Sequence, residues 1–267
     1  MKELISMMFL LSCFLSKAQN NVGGATTNIV CRYQVQFLKD TLNVESKTNE
    51  IMALQIGGNI SLYKSEQKRK TDSLRHESIK NSMQNAQDKK SVVIDFSKIP
   101  KVNLVHEVYK NGDDLVIFDN IIKDQYFYPA NKKIDWKINV ETKQIAGYTC
   151  QKATGQYNNR FYTAWFTKEI PISEGPYTFK GLPGLILEVY DTNKYFFISL
   201  ISIQRLNEEI IPMNRAIKTT YNDFKKKRRE VNDNPIAELQ KLSNNPISKE
   251  VKDKVIENRK RKNNYLD

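Results

Sequence analysis

Two histidines and three cysteines are all that this 267-residue chain offers for imidazole or thiolate ligation of a metal and for thiol chemistry. His76 and His106 stand thirty residues apart, and neither sits in a recognised metal-ligand motif. Each reads as a surface or packing residue. Cys150 with His106 would make a nucleophile and base, but Cys150 lies between Tyr148 and Lys152 in a strand-like segment and reads as a buried thiol. The richest polar run, residues 165–174, carries Glu169 and Glu174. Two carboxyls can cleave a glycoside when they are about 5–5.5 Å or 6.5–9.5 Å apart. Five residues through a proline-containing loop leave that separation open. There is no Gly-x-Ser-x-Gly elbow and no glycine-rich phosphate loop. The sequence thus names no catalytic residue and implies no metal or cofactor, with a hydrolase acting through Glu169 or Glu174 as the alternative.

The element beside those carboxylates is the most tightly specified in the chain. Gly175 and Pro176 form a turn dipeptide, and Leu182-Pro183-Gly184-Leu185 reads as a type II turn, with proline setting the first central dihedral and Gly184 at positive φ. Residues 185–190 then read as a buried strand, with Leu185 and Leu187 on the core side and Ile186 on the other. Residues 191–194 close a hairpin onto a second apolar run, 195–203.

The rest of the chain supplies more strands of this kind. Strand patterns occur at 29–38, 51–56, 60–63, 91–96, 104–110, 115–119, 125–128, 134–140, 145–154 and 160–167, separated by tight-turn material. The fold class expected is mainly β: a large antiparallel curved sheet, as a meander, open barrel or sandwich, with peripheral helices. Trp136, Tyr148, Phe161, Tyr162, Trp165, Phe179 and Tyr190 read as core more than as a carbohydrate platform. Residues 65–90 are polar, with a thin stripe of Leu74, Ile79 and Met83, and read as a weakly amphipathic helical insertion. Past residue 205 the chain is basic and helical. Segment 222–231 and two Asn-Pro starts, Asn234-Pro235 and Asn245-Pro246, give helices too polar for a core of their own. Residues 206–267 are therefore expected to be a basic helical C-terminal extension of the 29–205 β domain, its helices lying on that domain or projecting from it, with 222–267 dispensable for its folding.

Residues 1–18 read as a secretory signal: Lys2, an apolar run from Leu4 to Leu15, and Ser16-Lys17-Ala18 as the cleavage site. A competing reading takes Leu10-Leu11-Ser12-Cys13 as a lipobox, with Cys13 acylated. Residues 19–28 read as a disordered N-terminus. Loss of Lys2, Lys17 and Glu3 with the signal takes the net charge from +12 to +11. Lys225–Arg229 and Arg259–Lys262 hold nine of the positive charges and read as solvated helix faces, with peripheral membrane contact as the other possibility. Export argues against nucleic acid as a partner. Cys31 and Cys150 remain as one disulfide or two buried thiols.

Gly175, Pro176, Gly181, Leu182, Pro183, Gly184, Leu185 and Ile186 resemble the signature of the GLPGLI family of Bacteroidetes envelope proteins. The resemblance extends to Met52–Leu54, Ser61–Tyr63, Ile134–Trp136, Gly147–Ala153, Ala164–Thr167 and Ile170-Pro171, covering most of 29–205. It implies an exported protein, periplasmic or outer-membrane associated, with no assigned activity and so no catalytic residue to carry over. The function expected is non-enzymatic binding of an apolar or peptide ligand, or of an envelope protein partner, on the concave face of the sheet. A structural partner of an outer-membrane transporter is a further alternative. N-terminal sequencing of the exported protein should find Gln19 first; an acylated Cys13 would overturn the secretory reading.

Overall fold

A computed structural model describes residues 26–74, 102–130, 133–241, 246–260 and 263–266. The expected signal, the strand at 91–96 and His76 lie outside them. The strands in chain order begin with β1 (Ile29–Leu38), β2 (Lys47–Gly57), β3 (Ile60–Ser65) and β4 (Glu107–Asn111). They continue with β5 (Asp114–Ile121), β6 (Asp124–Pro129), β7 (Lys137–Ile145) and β8 (Tyr148–Tyr157). Last come β9 (Arg160–Thr167), β10 (Leu185–Asp191), β11 (Phe196–Gln204) and the two-residue β12 (Ile217–Lys218). All twelve join one sheet in the order β12-β6-β5-β4-β3-β2-β1-β11-β10-β9-β8-β7. Every pairing is antiparallel except β12 with β6. The strand expected from Ile145 starts three residues later because Ala146 (φ 50°) and Gly147 (φ 84°) form the hairpin turn.

The sheet is strongly curled. In strand order β4 and β8 are seven places apart, which would be about 34 Å in a flat sheet. Yet His106, just before β4, and Tyr157, at the end of β8, both touch Tyr177, with ring centroids 5.1 and 6.2 Å away. The two flanks bend toward each other over one inner face, and no ladder closes β7 onto β12. Tyr128, Ile117, Val108, Tyr63, Leu54 and Cys31 sit opposite one another across six successive strands and form a buried inner row.

The outer face of β1 to β4 is covered too. Helix α1 (66–74) and the strap 205–213 lie there, held by charges. Lys64, 1% exposed, reaches Asp72 at 2.8 Å and the Ile211 carbonyl at 2.7 Å. Glu107 is fully buried, bonded to Lys68 of α1 and accepting from the Met213 N–H at 2.6 Å. Glu66 bridges Arg32 and Arg69, and Arg69 continues to Glu208. Thr26 and Thr27, placed in the expected disordered stretch, are instead tied to Glu208 and Glu209 of the strap, and Thr27 is buried.

Beyond the strap, α2 (Tyr221–Asp233), α3 (Pro235–Gln240) and α4 (Lys249–Lys260) follow. Thr220 caps α2 by accepting from the Asp223 N–H, and Pro235 opens α3 as expected. The start expected at Asn245-Pro246 falls later: α4 begins at Lys249, where the Val251 N–H reaches Ser248 Oγ at 3.4 Å. Of the two placements expected for these helices, on the sheet or projecting from it, α2 takes the first. Phe224 packs on Tyr126 and Tyr128 of β6, Val231 is buried, and Asn264 donates to the Leu38 carbonyl of β1. Few apolar residues make the contact: Phe224, Val231 and Leu266 are buried, whereas Val251 and Ile256 of α4 stay exposed.

A chain ending near Arg205 should therefore lose its cooperative thermal transition. It gives up buried Ile210, Met213, Phe224, Val231 and Leu266, each worth roughly 2–5 kcal/mol in a domain stable by about 5–15 kcal/mol. Calorimetry of the truncated chain checks this, and a retained sharp transition would contradict it.

Candidate functional site

Between β9 and β10 the chain leaves the sheet for residues 168–184 and fills the hollow of the inner face. Two glycines make this plug possible by close approach. A Cβ on Gly184, at φ 153°, would lie 2.0 Å from the Thr167 carbonyl oxygen, where β9 ends. One on Gly175 would lie 2.3 Å from the Phe179 oxygen and 2.9 Å from Ile186 Cβ. The expected type II turn is corrected. The Gly184 N–H donates to the Leu182 carbonyl at 2.8 Å, and the Leu185 N–H goes to Ile170, so the corner is a three-residue γ-turn at Pro183.

The plug carries its own small core. Tyr177, Phe179 and Leu182 are buried, with Phe179 4.7 Å in ring separation from Tyr162, edge-on to Tyr157 and tilted against Trp136. Trp136 Nε1–H donates to the Lys180 carbonyl at 2.9 Å, and the Tyr33 hydroxyl donates to the Ile186 carbonyl at 2.8 Å. Leu185, Ile186 and Leu187 are all buried, so no side of this strand faces solvent there; a bulge between Ile186 and Glu188 resets the register. Of the signature residues, Gly175, Pro176, Leu182, Gly184, Leu185 and Ile186 are buried, and only Gly181 and Pro183 reach solvent.

The polar heart of the plug is Glu174, 5% exposed. It accepts from Lys110 of β4 at 2.9 Å, from the Ser61 hydroxyl of β3 at 3.0 Å, and from Lys180 of the plug itself. Lys180 also donates to the Gly175 carbonyl at 3.2 Å. Burial alone would raise the Glu174 carboxyl, but the two ammoniums outweigh it and hold the group below its ordinary value. Burial pulls Lys180 below its ordinary value against the attraction of Glu174, and Lys110 adds repulsion. One carboxylate thus serves two cations. It is a latch between plug and sheet.

The carboxylates considered for catalysis do not converge. Glu169 is exposed and accepts from the Thr149 N–H of β8 at 2.7 Å, whereas Glu174 is inside the hollow. Strand alternation places Cys31 inside, near Glu174, and Cys150 outside, near Lys143; both thiols are free. No disulfide can join them through the sheet. Burial, with Glu174 adding to it, pushes the Cys31 thiol up to about 12, and burial pushes Cys150 up to about 11, so neither is a ready nucleophile. His106 packs between Tyr63 and Tyr177 on the inner side, away from Cys150. Among the aromatics read as core, Phe161 is the exception at 66% exposed. Among the described residues no cluster of metal-binding side chains occurs, and no helix is long and apolar enough to cross a membrane.

Sequence reasoning missed Lys110, Ser61 and Lys180. Lys180 adjoins the signature and was within reach; Lys110 and Ser61 lie 64 and 113 residues from Glu174 and leave no local trace.

The segment that forms the plug also lies within the stretch that a family model matches. The model described as "Protein of unknown function (Porph_ging)" matches residues 156–188, from the end of β8 through the plug into β10. The chain is similar to that family over this stretch, which contains Gly181 to Ile186. None of the curated proteins matches. Among solved structures, two of PNGF-II, in space groups P21 and C2, align at 15% identity and a TM-score of 0.46. They cover 76% and 77% of this chain and 33% of PNGF-II, so the chain spans about a third of that protein's length.

Lys180→Met should destabilise the protein by about 3 kcal/mol, because it leaves Glu174 buried with half its compensation. The acid limb follows from the sign of the Glu174 shift. A carboxyl held below its unfolded value, near 4.5, contributes stability above that pH and loses it as the pH falls through the folded value. Thermal midpoints measured from pH 6 down to about 3 should fall more steeply for the wild type than for Glu174→Gln. Parallel curves would show that the latch does not couple to folding. Gly184→Ala should cost at least about 1–3 kcal/mol, since the Thr167 backbone cannot step aside.

Proposed function

We propose that this is an exported envelope protein of the GLPGLI kind that binds a peptide or a partner protein and performs no chemistry of its own. The observation that carries the reading is the plug. The hollow that the sequence suggested for an apolar ligand holds Tyr177, Phe179 and Leu182 of the same chain. That leaves the rims and outer surfaces for contact, and such surfaces suit extended or protein ligands better than small apolar ones. The divergence of Glu169 and Glu174 supports binding over hydrolysis.

The basic helices weigh against a polyanion or membrane surface as the main partner. Arg228 stacks on Tyr265 at 4.1 Å and Lys227 faces Glu238. The exposed side of α2 then mixes Lys225, Lys226 and Arg229 with Asp223, Glu230 and Asp233. Its charges balance.

Native mass spectrometry of the protein isolated from its own envelope tests the reading, and a retained peptide or protein mass is expected. A lipid adduct alone would move the ligand back to an apolar class. Turnover of a glycan or peptide substrate that is lost in Glu169→Gln would replace binding by hydrolysis.

A further inference from the structure

We propose that the cleft between the β5–β6 hairpin and helices α2 and α3 is a binding site for an apolar carboxylate. A cavity of about 160 Å³ lies there. Ile121, Ile122, Val231 and Tyr126 give its lining an apolar part. Lys123, Lys227 and Lys241 surround it, against two carboxylates, Asp124 and Glu238. Glu238 is shared, with Lys241 at 2.6 Å and Lys227 at 3.6 Å. Three cations to two anions leave room for one more negative charge beside an apolar surface. The cleft is open to solvent, and its volume admits a small molecule or the end of a peptide.

A second observation points to the same place. Ile122 holds φ 58° at the first central position of the hairpin turn. It is the one β-branched residue with positive φ among the described residues. Glycine or asparagine would sit there without strain, and a β-branched residue is the most disfavoured choice. What isoleucine adds is a branched apolar side chain in the cavity lining. Strain of this sort collects where a side chain must be held in place for a ligand.

The shared chemistry is a carboxylate on a short branched or aromatic apolar group, either a free acid or the C-terminal residue of a peptide. The site depends on the binding reading above only for the source of that ligand. A protein that keeps its envelope partner but takes up no carboxylate would overturn the site and leave that reading standing.

The test uses the full chain with 4-methylpentanoate, its neutral amide, and a tetrapeptide ending in leucine with a free or amidated C-terminus. Amide shifts of Ile122 and Lys123 in NMR titrations report binding. The acid should bind and the amide should not. Lys227→Gln and Lys241→Gln should each weaken binding by about tenfold, the effect of losing one charge-assisted contact. Ile122→Gly should weaken it while leaving the melting temperature unchanged or higher. Stronger binding of the free-ended peptide than of the acid assigns the site to peptide termini, and the reverse assigns it to small acids. Equal binding of acid and amide, no binding by the wild type, or an Ile122→Gly variant that is destabilised yet binds normally would each overturn the proposal.

Discussion

An open sheet with an apolar inner face cannot leave that face in water, and this constraint governs the rest of the molecule. Closing the sheet into a barrel would have solved the problem with side chains alone. Here the curl stops short, and the hollow is filled by two pieces of the same chain: the plug of residues 168–184 from between β9 and β10, and α2 from beyond the last long strand. A loop brought into such a place carries backbone and charged groups with it, and each needs a partner. Glu174 finds Lys110, Ser61 and Lys180. The close approaches at Gly175 and Gly184 belong to the same requirement, because the plug must turn back within a side chain's width of the strands it leaves and rejoins.

The outer face obeys the same rule with different material. Where α1 and the strap cross β1 to β4, burial is shared between apolar contacts and ion pairs. Lys64, Glu66, Arg69 and Glu107 are each under a tenth exposed. Buried charges of this kind contribute little net stability once their desolvation is counted, but removing one partner is costly. They fix where the strap lies more than how tightly it holds.

Much of this architecture was legible in the sequence, and the illegible part has a common cause. The bounds of β1 and β9 match their apolar and turn signals, because alternation and flanking turns are local. The corner at Gly184 was visible as a glycine requirement, though its reason is contact with Thr167 and its turn is tighter than the dipeptide suggested. Glu174 looked like half of a catalytic pair because sequence shows the carboxylate five positions away and not the ammoniums across the sheet. Phe224 and Val231 looked like sparse apolar residues on a polar helix. Their weight comes from β6, which no window around α2 contains. Local pattern sets elements; the destination of a loop or helix is set by distant strands.

The strand order also has a kinetic side. β1, the first strand in the chain, lies in the middle of the sheet and pairs on one side with β11, a separation of 172 residues between Arg32 and Gln204. The final residues close on the same end, with Asn263 bonded to Asp40 across 223 positions. Contacts so far apart in sequence are slow to form, since long loops must close before they are rewarded. The ladder between β1 and β11 cannot form until the chain has been made as far as Gln204. On either side of it the strands pair with their neighbours in sequence, β1 to β6 on one flank and β7 to β11 on the other, so each flank can form from local hairpins before the one long-range ladder joins them.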